Sequence, residues 1–303
     1  MLIRAAGEIA PSIYLVNVGT SCTYCIRSSG LSIFDPGCSA NLQQLFKKIQ
    51  TVGLDIHQLS SIFITHLDPE RVGSVPYLKK LFPNVKIIFT QQMEEVIKQS
   101  ETLRDIYEGD VYLRQKLGVA TDNMGWEEYK KFFFSDLVIP NTEAIALSST
   151  ISIRPIPAHG HSYHSSAYLI VPQQVLIIDE SVGYFKLNGF VAPGADVSIA
   201  SNIPFLNMVA SLDVSLIGLP QIGALSGSLV RKHLENIINN TKDLVEECKE
   251  AFSSGMDENE IFQAIKQQFY NTDPSDPVLS YSYEKTLNKI WPQIRELAKC
   301  PTS

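Results

Sequence analysis

The sequence predicts an α/β protein whose C-terminal part is entirely helical. The first third of the chain alternates strands and helices in the order β-β-β-α-β-α-β. A second strand-rich half follows, and from about residue 229 to 298 the apolar residues recur only at helical spacing. We therefore expect a boundary near Gly227, with one domain over residues 1–227 and a helical extension over 228–303.

Short apolar runs mark the strands of the first half. They are predicted at residues 13–18, 23–27, 31–34, 61–65 and 85–89. Apolar residues recur at helical spacing from Leu42 to Ile49, and Gly53 follows where a helix can end in the left-handed conformation. A second, short helix is predicted through residues 77–81.

The segment from about residue 91 to 134 has mostly helical spacing and reads as an insertion. It can serve as a substrate lid or a dimer surface, or it can be a helical layer that packs on the sheet. Further strands are predicted at 151–155, 166–171 and 174–178. In the C-terminal part, Asp257 and Glu260 form a capping box, and a last helix over about 283–297 is disturbed at Pro292.

Composition limits the kinds of partner. A formal charge of -7 and a pI near 5.4 argue against nucleic-acid binding, which needs a concentrated basic face. No segment approaches 18 uninterrupted apolar residues and no export signal is visible, so we expect a cytoplasmic protein without a membrane segment. The expected partners are a small-molecule substrate and a second copy of the chain in a homodimer.

Five cysteines are scattered without the framework of a disulfide-stabilised domain. Cys22 and Cys25 have C-x-x-C spacing, but they lie in a predicted strand, where residues three apart point to opposite faces. We interpret them as packing residues. His57 and His233 are interpreted as surface residues outside any site.

The segment from Thr65 to Ser74 follows the apolar run 62–64 and carries the strongest chemical signal. It holds His66, Asp68 and Glu70 within five residues at the end of a predicted strand. A loop of this kind turns alternate side chains toward one hollow, so an imidazole and two carboxylates can converge on one cation.

This segment resembles the metal-binding loop T-H-x-H-x-D-H-x-G-G of the metallo-β-lactamase superfamily, with three of four ligand positions changed. Four more landmarks follow the superfamily's order, and five in sequence make the resemblance specific. They are the turn at 34–37, the histidine turn at 157–165, the acidic turn at 176–183 and the closing turn at 219–223. The resemblance implies an αββα sandwich with a metal site at the strand ends.

The resemblance also implies which residues bind the metal. The first site would consist of His66, Asp68, His161 and Glu180, although a one-residue shift of the alignment would select Asp179 instead of Glu180. Such a set can hold one divalent ion: zinc, iron or manganese.

The second site of the superfamily is expected to be lost. Glu70 replaces its aspartate, Arg71 one histidine and Ile222 the other, and neither a guanidinium nor a hydrocarbon can bind a cation. Arg71 can instead pair with Glu70 or Glu180 and keep those carboxylates ionised. We therefore expect one ion rather than two.

Three functions are compatible with these residues. The first is a metal-dependent hydrolase of a small ester, thioester or phosphoester, the commonest activity in the resembled superfamily. The second is a non-haem iron protein in O₂ or redox chemistry, mononuclear or partly similar to the diiron domain of flavodiiron proteins, as Asp68 and Ser74 suggest. The third is a non-catalytic sensing or interaction protein. His164 and Arg71 are the candidate catalytic residues.

Overall fold

The computed structural model describes residues 1–19, 21–119, 124–185, 191–269 and 276–299. Two seven-stranded sheets pack face to face and helices cover their outer faces. The strands are β1 (Leu2–Ile3), β2 (Gly7–Ala10), β3 (Ile13–Val18), β4 (Ser21–Arg27), β5 (Leu31–Phe34), β6 (Leu59–Phe63), β7 (Lys86–Thr90), β8 (Leu137–Ile139), β9 (Ile145–Ala146), β10 (Ser152–Pro157), β11 (Ser166–Val171), β12 (Val175–Ile177), β13 (Tyr184–Phe185), β14 (Val191–Ala192), β15 (Leu216–Gly218) and β16 (Ala224–Ser226).

The helices include three long ones after the last strand. They are α1 (Leu42–Thr51), α2 (Pro69–Val72), α3 (Val75–Leu81), α4 (Gln91–Ile97), α5 (Ser100–Lys116), α6 (Trp126–Phe132), α7 (Ile199–Ser211), α8 (Ser228–Ser253), α9 (Glu258–Phe269) and α10 (Pro277–Lys299). Among the described residues, no helix is long and apolar enough to cross a bilayer.

Each sheet mixes parallel and antiparallel pairing. The first has the order β2-β3-β4-β5-β6-β7-β8, antiparallel up to β5 and parallel from β5 to β8. The second has the order β1-β16-β15-β12-β11-β10-β9, in which only β12 and β15 pair in parallel. In each sheet a loop that follows a parallel strand carries acidic residues of the motifs. The loop after β6 carries His66 and Asp68, and the loop after β12 carries Asp179 and Glu180.

The core between the sheets is apolar and rich in aromatic rings. Phe34 stacks on Phe63 with their ring centroids 4.9 Å apart, and Tyr168 of the opposite sheet packs edge-on against Phe34 at 5.5 Å. The buried Tyr168 hydroxyl donates to the Ile64 carbonyl at 2.7 Å. This contact joins the two sheets directly before the loop that carries His66.

The segment 91–134 forms a helical layer on the outer face of the first sheet. Met93, Ile106 and Tyr129 are buried in the same apolar cluster as strands β3, β5 and β7. These contacts agree with the prediction that the segment is a helical layer packed on the sheet. The segment's residues 120–123 lie outside the described part of the chain.

The C-terminal helices form a further cluster beside the second sheet. The helix α8 begins one residue after Gly227, and its Leu234 and Ile237 pack on that sheet. The helix α10 continues through Pro292 without ending there. A division into two domains stays a prediction.

The structure agrees with one prediction about side-chain position and contradicts another. Cys22 and Cys25 lie in different apolar clusters, on opposite faces of β4, as expected for packing residues. The interpretation of His233 as a surface residue is wrong, since its side chain is buried and its Nε2 lies 2.8 Å from the Val182 carbonyl. The apolar neighbours on α8 gave the signal, because His233 shares their face of the helix.

Candidate metal centre

Four donor atoms from three distant chain segments converge at one end of the sandwich. His66 Nε2 lies 3.3 Å from Glu180 Oε2 and 3.7 Å from Asp68 Oδ2. His161 Nε2 lies 3.2 Å from Asp68 Oδ2 and 3.9 Å from Glu180 Oε2. Four ligands around an ion at 2.0–2.2 Å are roughly 3.3 Å apart in a tetrahedron, so this spacing suits one shared cation.

A chain of hydrogen bonds fixes the His66 ring. Thr65 donates its backbone N–H and its hydroxyl to the two Asp35 oxygens, at 2.8 and 2.6 Å. The hydroxyl, which gives its proton to Asp35, can only accept from His66 Nδ1, 2.9 Å away. His66 Nε2 therefore presents its lone pair to the converging atoms.

Asp68 is positioned by the proline that follows it. Pro69 is the first residue of α2, and it restricts the preceding residue to the extended backbone observed at Asp68, with φ -81° and ψ 141°. The turn at 34–37 supports this loop, because Gly37 donates its N–H to the Arg71 carbonyl and accepts from the Ser74 N–H, both at 2.9 Å.

His161 lies in the turn between β10 and β11. Its backbone N–H donates to Ser181 Oγ at 3.1 Å, and Gly160 packs so closely on Asn202 that a Cβ there would come within 2.7 Å of its side chain. His161 Nδ1 lies 3.3 Å from Asp196 Oδ1. A carboxylate in this place holds the ring with Nε2 toward the other donors.

Of the two acidic residues after β12, Glu180 is the one that points into the cluster. Asp179 accepts from the Ser181 N–H at 3.1 Å and begins the short 3₁₀ helix Glu180–Val182. The structure thus places Glu180 beside the two imidazoles, together with His66 and His161 in a group whose ligand atoms lie within 4.8 Å of one another.

Two of the converging atoms are buried without a hydrogen-bond partner, namely His66 Nε2 and Glu180 Oε2. They lie only 3.3 Å apart and still make no hydrogen bond with each other. Buried polar atoms in proteins are almost always satisfied. Unpaired lone pairs that face a common point fit a divalent cation, so the residues present suit such an ion.

The pKa values of the residues in this cluster differ strongly from their usual values. Burial lowers the pKa of His66 to about 3, against the opposing effect of Glu180 and Asp68. Burial also acts to lower the pKa of His161, but the carboxylates of Asp196 and Asp68 raise it well above its usual value. Although burial acts to raise the pKa of Glu180, the Arg71 guanidinium lowers it to about 2.

Arg71 fills the region next to these donors. Its side chain is 1% exposed. Nη2 donates to Glu180 Oε1 at 2.5 Å, while Nη1 donates to the Pro220 carbonyl at 2.6 Å and to Ser21 Oγ at 3.1 Å. Of the two partners expected for Arg71, the structure shows Glu180 in direct contact.

Glu70 lies outside the four-atom group. Its Oε1 accepts from Ser282 Oγ of α10 at 2.6 Å, and burial raises the pKa of the carboxyl. In the closing turn, Gln221 Nε2 is 3.5 Å from Glu180 Oε1, whereas Ile222 packs on the apolar cluster of the second sheet. Of these two side chains of the closing turn, Gln221 rather than Ile222 approaches Glu180.

The C-terminal helix supplies residues that sequence reasoning missed. Lys285 Nζ donates to Asp68 Oδ1 at 2.5 Å, and Lys289 Nζ lies 3.5 Å from Asp196 Oδ2. With Ser282, these residues follow one another at three- and four-residue spacing along α10. That spacing of polar residues on one face was the available signal.

A cavity of about 440 Å³ opens beside the cluster. Asp68, His164, Tyr281 and Lys285 are among its lining residues. His164 Nε2 accepts from the Leu67 N–H at 3.4 Å, and burial lowers the pKa of this ring to about 4. His164 is thus a neutral base at the cavity wall, whereas His159 is exposed and is not among the lining residues of this cavity.

The solved structures that resemble this chain share one architecture. A metallo-β-lactamase family protein from Thermus thermophilus is 16% identical, with a TM-score of 0.64 and 95% of each chain covered. The chain has the metallo-β-lactamase fold. An archaeal protein of the same superfamily, from Sulfolobus tokodaii, is 17% identical over 94% of this chain and 98% of its own, with a TM-score of 0.58.

Other comparisons agree with the metallo-β-lactamase fold. A β-lactamase domain protein from Burkholderia ambifaria is 15% identical, covers 95% of this chain and 88% of its own, and gives a TM-score of 0.62. Residues 20–121 match a family described as "ODP family beta lactamase". No curated protein sequence matches the chain significantly. The αββα sandwich predicted from the sequence is confirmed. Among the described residues, His66, His161 and Glu180 form a group that could hold a metal ion.

Proposed function

We propose that the protein is a mononuclear metalloprotein in which His66, Asp68, His161 and Glu180 hold one divalent ion. The observation that carries this proposal is the pair of buried, unpartnered atoms His66 Nε2 and Glu180 Oε2. His66 Nε2 lies 3.7 Å from Asp68 Oδ2, and Glu180 Oε2 lies 3.9 Å from His161 Nε2. The contacts of His66 Nδ1 with Thr65 at 2.9 Å and of His161 Nδ1 with Asp196 at 3.3 Å support it, because they turn both Nε2 atoms toward the other donors.

The charges around the site favour one ion over two. Asp68 already shares its outer oxygen with Lys285, and Glu180 shares its outer oxygen with Arg71. A second divalent ion would lie against a guanidinium and an ammonium, which repel it, and it would find no imidazole there. The two basic side chains thus take the electrostatic place of the second cation.

The ligand count favours an ion that accepts five or six ligands, such as Fe²⁺ or Mn²⁺. Catalytic zinc sites use three protein ligands and keep the fourth position open, whereas four protein donors converge here. When bound, iron supplies one-electron chemistry with small ligands such as O₂. The chain's own residues bury the donors, exclude bulk water and line a narrow approach with His164 and Lys285.

Metal analysis tests this proposal directly. Protein purified from iron-, manganese- and zinc-supplemented cultures is expected to contain close to one ion per chain, with iron or manganese preferred. The ferrous protein, kept free of air, is expected to bind nitric oxide and give an S = 3/2 electron paramagnetic resonance signal. A metal-free protein from every culture, or two ions per chain, would contradict the proposal.

Hydrolysis of a small ester, thioester or phosphoester is the second candidate function. It is favoured by relatives of the fold that are β-lactamases, one of which is described as having an active-site glutamic acid, at 14% identity and a TM-score of 0.55. In this case His164 is placed to accept a proton at the cavity wall. Turnover by the zinc-loaded protein and none by the iron-loaded protein would favour hydrolysis.

A further inference from the structure

The helix α10 presents a polar face to the candidate metal centre. Ser282 donates to Glu70 at 2.6 Å, Lys285 donates to Asp68 at 2.5 Å, and Lys289 lies 3.5 Å from Asp196. Three carboxylates around the site are thus each contacted by one residue of the same helix. Of these three carboxylates, only Asp68, the partner of Lys285, has its other oxygen among the four converging donor atoms.

The two oxygens of Asp68 face different partners. Oδ1 accepts from Lys285 Nζ at 2.5 Å, and Oδ2 faces His161 Nε2 at 3.2 Å and His66 Nε2 at 3.7 Å. A carboxylate whose outer oxygen is held by an ammonium can offer a metal only its inner oxygen. We propose that Lys285 is a positioning residue that holds the outer oxygen of Asp68, so that only the inner oxygen can bind the metal. One ligand position of the ion thereby stays open, and the site holds a single ion.

This inference deepens the proposed function and depends on it for the identity of the ligands. The electrostatics agree with the geometry. Burial acts to raise the pKa of Asp68, but Lys285 and the two histidines hold it well below its usual range. Conversely, Asp68 and Glu70 raise the pKa of Lys285 against the effect of burial, so the ammonium stays charged at neutral pH.

Lys285 also stands where a ligand would approach. Its side chain is 24% exposed, and it lines the 440 Å³ cavity together with Asp68 and His164. The remaining charged residues of the cavity wall are Asp105, Glu108 and Lys289. Glu108 is paired with Arg104 at 2.6 Å, on the outer side of α5. Lys285 is therefore a charged group of the cavity wall that also holds the outer oxygen of Asp68.

The test compares Lys285→Met with Lys299→Met. Methionine keeps the length of the side chain and removes its charge. Lys299 is the control because it ends the same helix and bonds the exposed Glu258, away from the site. Mn²⁺ affinity, measured by chelator competition, is expected to become at least tenfold tighter in Lys285→Met, because both Asp68 oxygens become available. It should change less than threefold in Lys299→Met, and Lys285→Arg should keep the wild-type affinity.

The ferrous protein provides a second measurement. If Asp68 gains a second metal bond in Lys285→Met, the fraction that binds nitric oxide is expected to fall at least fivefold. A purely structural role of Lys285 would instead weaken Mn²⁺ binding. Unchanged or weaker Mn²⁺ binding in folded Lys285→Met, or in Lys285→Gln should the first variant not fold, would overturn the inference.

Metal-free protein separates this inference from the proposed function. Without metal, Lys285→Met leaves the buried Asp68 without its ammonium partner, so the melting temperature of the variant is expected to fall. Asp68→Asn in the same chain is expected to recover most of the loss. If the wild type binds one Mn²⁺ per chain and Lys285→Met binds it no more tightly, the inference fails and the proposed function stands. If neither chain binds Mn²⁺, both are overturned.

Discussion

The two halves of the site have opposite hydrogen-bonding states. In the half formed by His66, His161 and the inner oxygens of Asp68 and Glu180, two buried atoms have no hydrogen-bond partner. In the other half, the Arg71 guanidinium is bonded to Glu180, Ser21 and Pro220. The first half therefore offers unpaired lone pairs, whereas the second half contains its own positive charge.

This difference supports the proposal of one ion rather than two. Replacing a histidine ligand by alanine would leave the carboxylate between the two positions uncompensated and buried, at a cost of several kcal/mol. Arg71 avoids this cost because its fixed fork bonds Glu180 and a backbone carbonyl at once. A site that gives up a second ion therefore needs another positive charge beside Glu180, in addition to losing the ligands of that ion.

Removing a donor from the unsatisfied half should have the largest effect. His66→Ala is expected to weaken Fe²⁺ or Mn²⁺ binding by at least roughly 100-fold, because one of four donors is lost. The fold should persist, since the ring makes one hydrogen bond, to Thr65. Titration calorimetry and circular dichroism measure both quantities. His57→Ala, an exposed control, should bind metal normally, and normal binding by His66→Ala would refute its assignment.

Removing the internal cation from the satisfied half should mainly reduce stability. Arg71→Gln leaves Glu180 buried without its guanidinium partner, which is expected to lower the free energy of unfolding of metal-free protein by about 3–5 kcal/mol. Chemical denaturation measures the change. Arg104→Gln is the control, because the exposed Arg104–Glu108 pair should contribute under about 0.5 kcal/mol. A loss no larger than in the control would show that Arg71 does not compensate Glu180.

The sequence predicted the strands and the meeting of the ligands, but not every residue of the site. The strands at 13–18 and 166–171 match the structure, and Gly53 ends α1 with φ 79°, because apolar periodicity and glycine conformation are local properties. The convergence of His66, His161 and Glu180 followed from the order of landmarks along the chain. The choice between Glu180 and Asp179 needed the structure, because the 3₁₀ turn decides which side chain points inward.

The contribution of α10 had no local signal strong enough to place it. Lys285 is more than 200 residues from Asp68 in sequence, and an isolated lysine on an amphipathic helix usually lies in solvent. The closing turn is another place where a local pattern was insufficient. Ile222 has φ 66°, a left-handed backbone that a branched residue rarely adopts, and the side chain that approaches Glu180 is that of Gln221.

The pH dependence of metal binding should show which half of the site carries a proton. His161 has a raised pKa in the metal-free protein and is protonated near neutral pH, while His66, with a pKa of about 3, is not. Metal binding must therefore displace one proton, and the affinity for Mn²⁺ is expected to rise about tenfold per pH unit until the raised pKa is reached. Titrations in buffers of different ionisation enthalpy count the protons, and a pH-independent affinity would contradict a charged His161.

The same shift affects stability with the opposite pH direction. Since the folded pKa of His161 lies above the unfolded value of 6.5, its contribution to stability is complete below 6.5 and is lost as the pH rises through the raised pKa. Metal-free protein should thus become less stable across the range in which metal binds more tightly. Thermal melts of metal-free His161→Gln, which has no such titration, provide the control.

The smallest expected change is the gain of a second, weaker ion. Arg71→His with Gln221→His removes the guanidinium and places an imidazole next to Glu180, where the Gln221 amide lies 3.5 Å from Oε1. Glu70 must give up its bond to Ser282 to join the new site, so the second ion should bind more weakly than the first. Mn²⁺ stoichiometry by equilibrium dialysis is expected to rise from one toward two.

Arg71→His with Ile222→His is the matched control for this gain, because it adds the same imidazole one residue later. Ile222 packs on the apolar cluster of the second sheet, so a histidine there should not reach Glu180, and the stoichiometry should stay at one. A second ion in the Ile222 variant and none in the Gln221 variant would show that the closing turn is aligned as the sequence pattern suggests. It would also show that the side chain at 222 can turn into the half that Arg71 now fills.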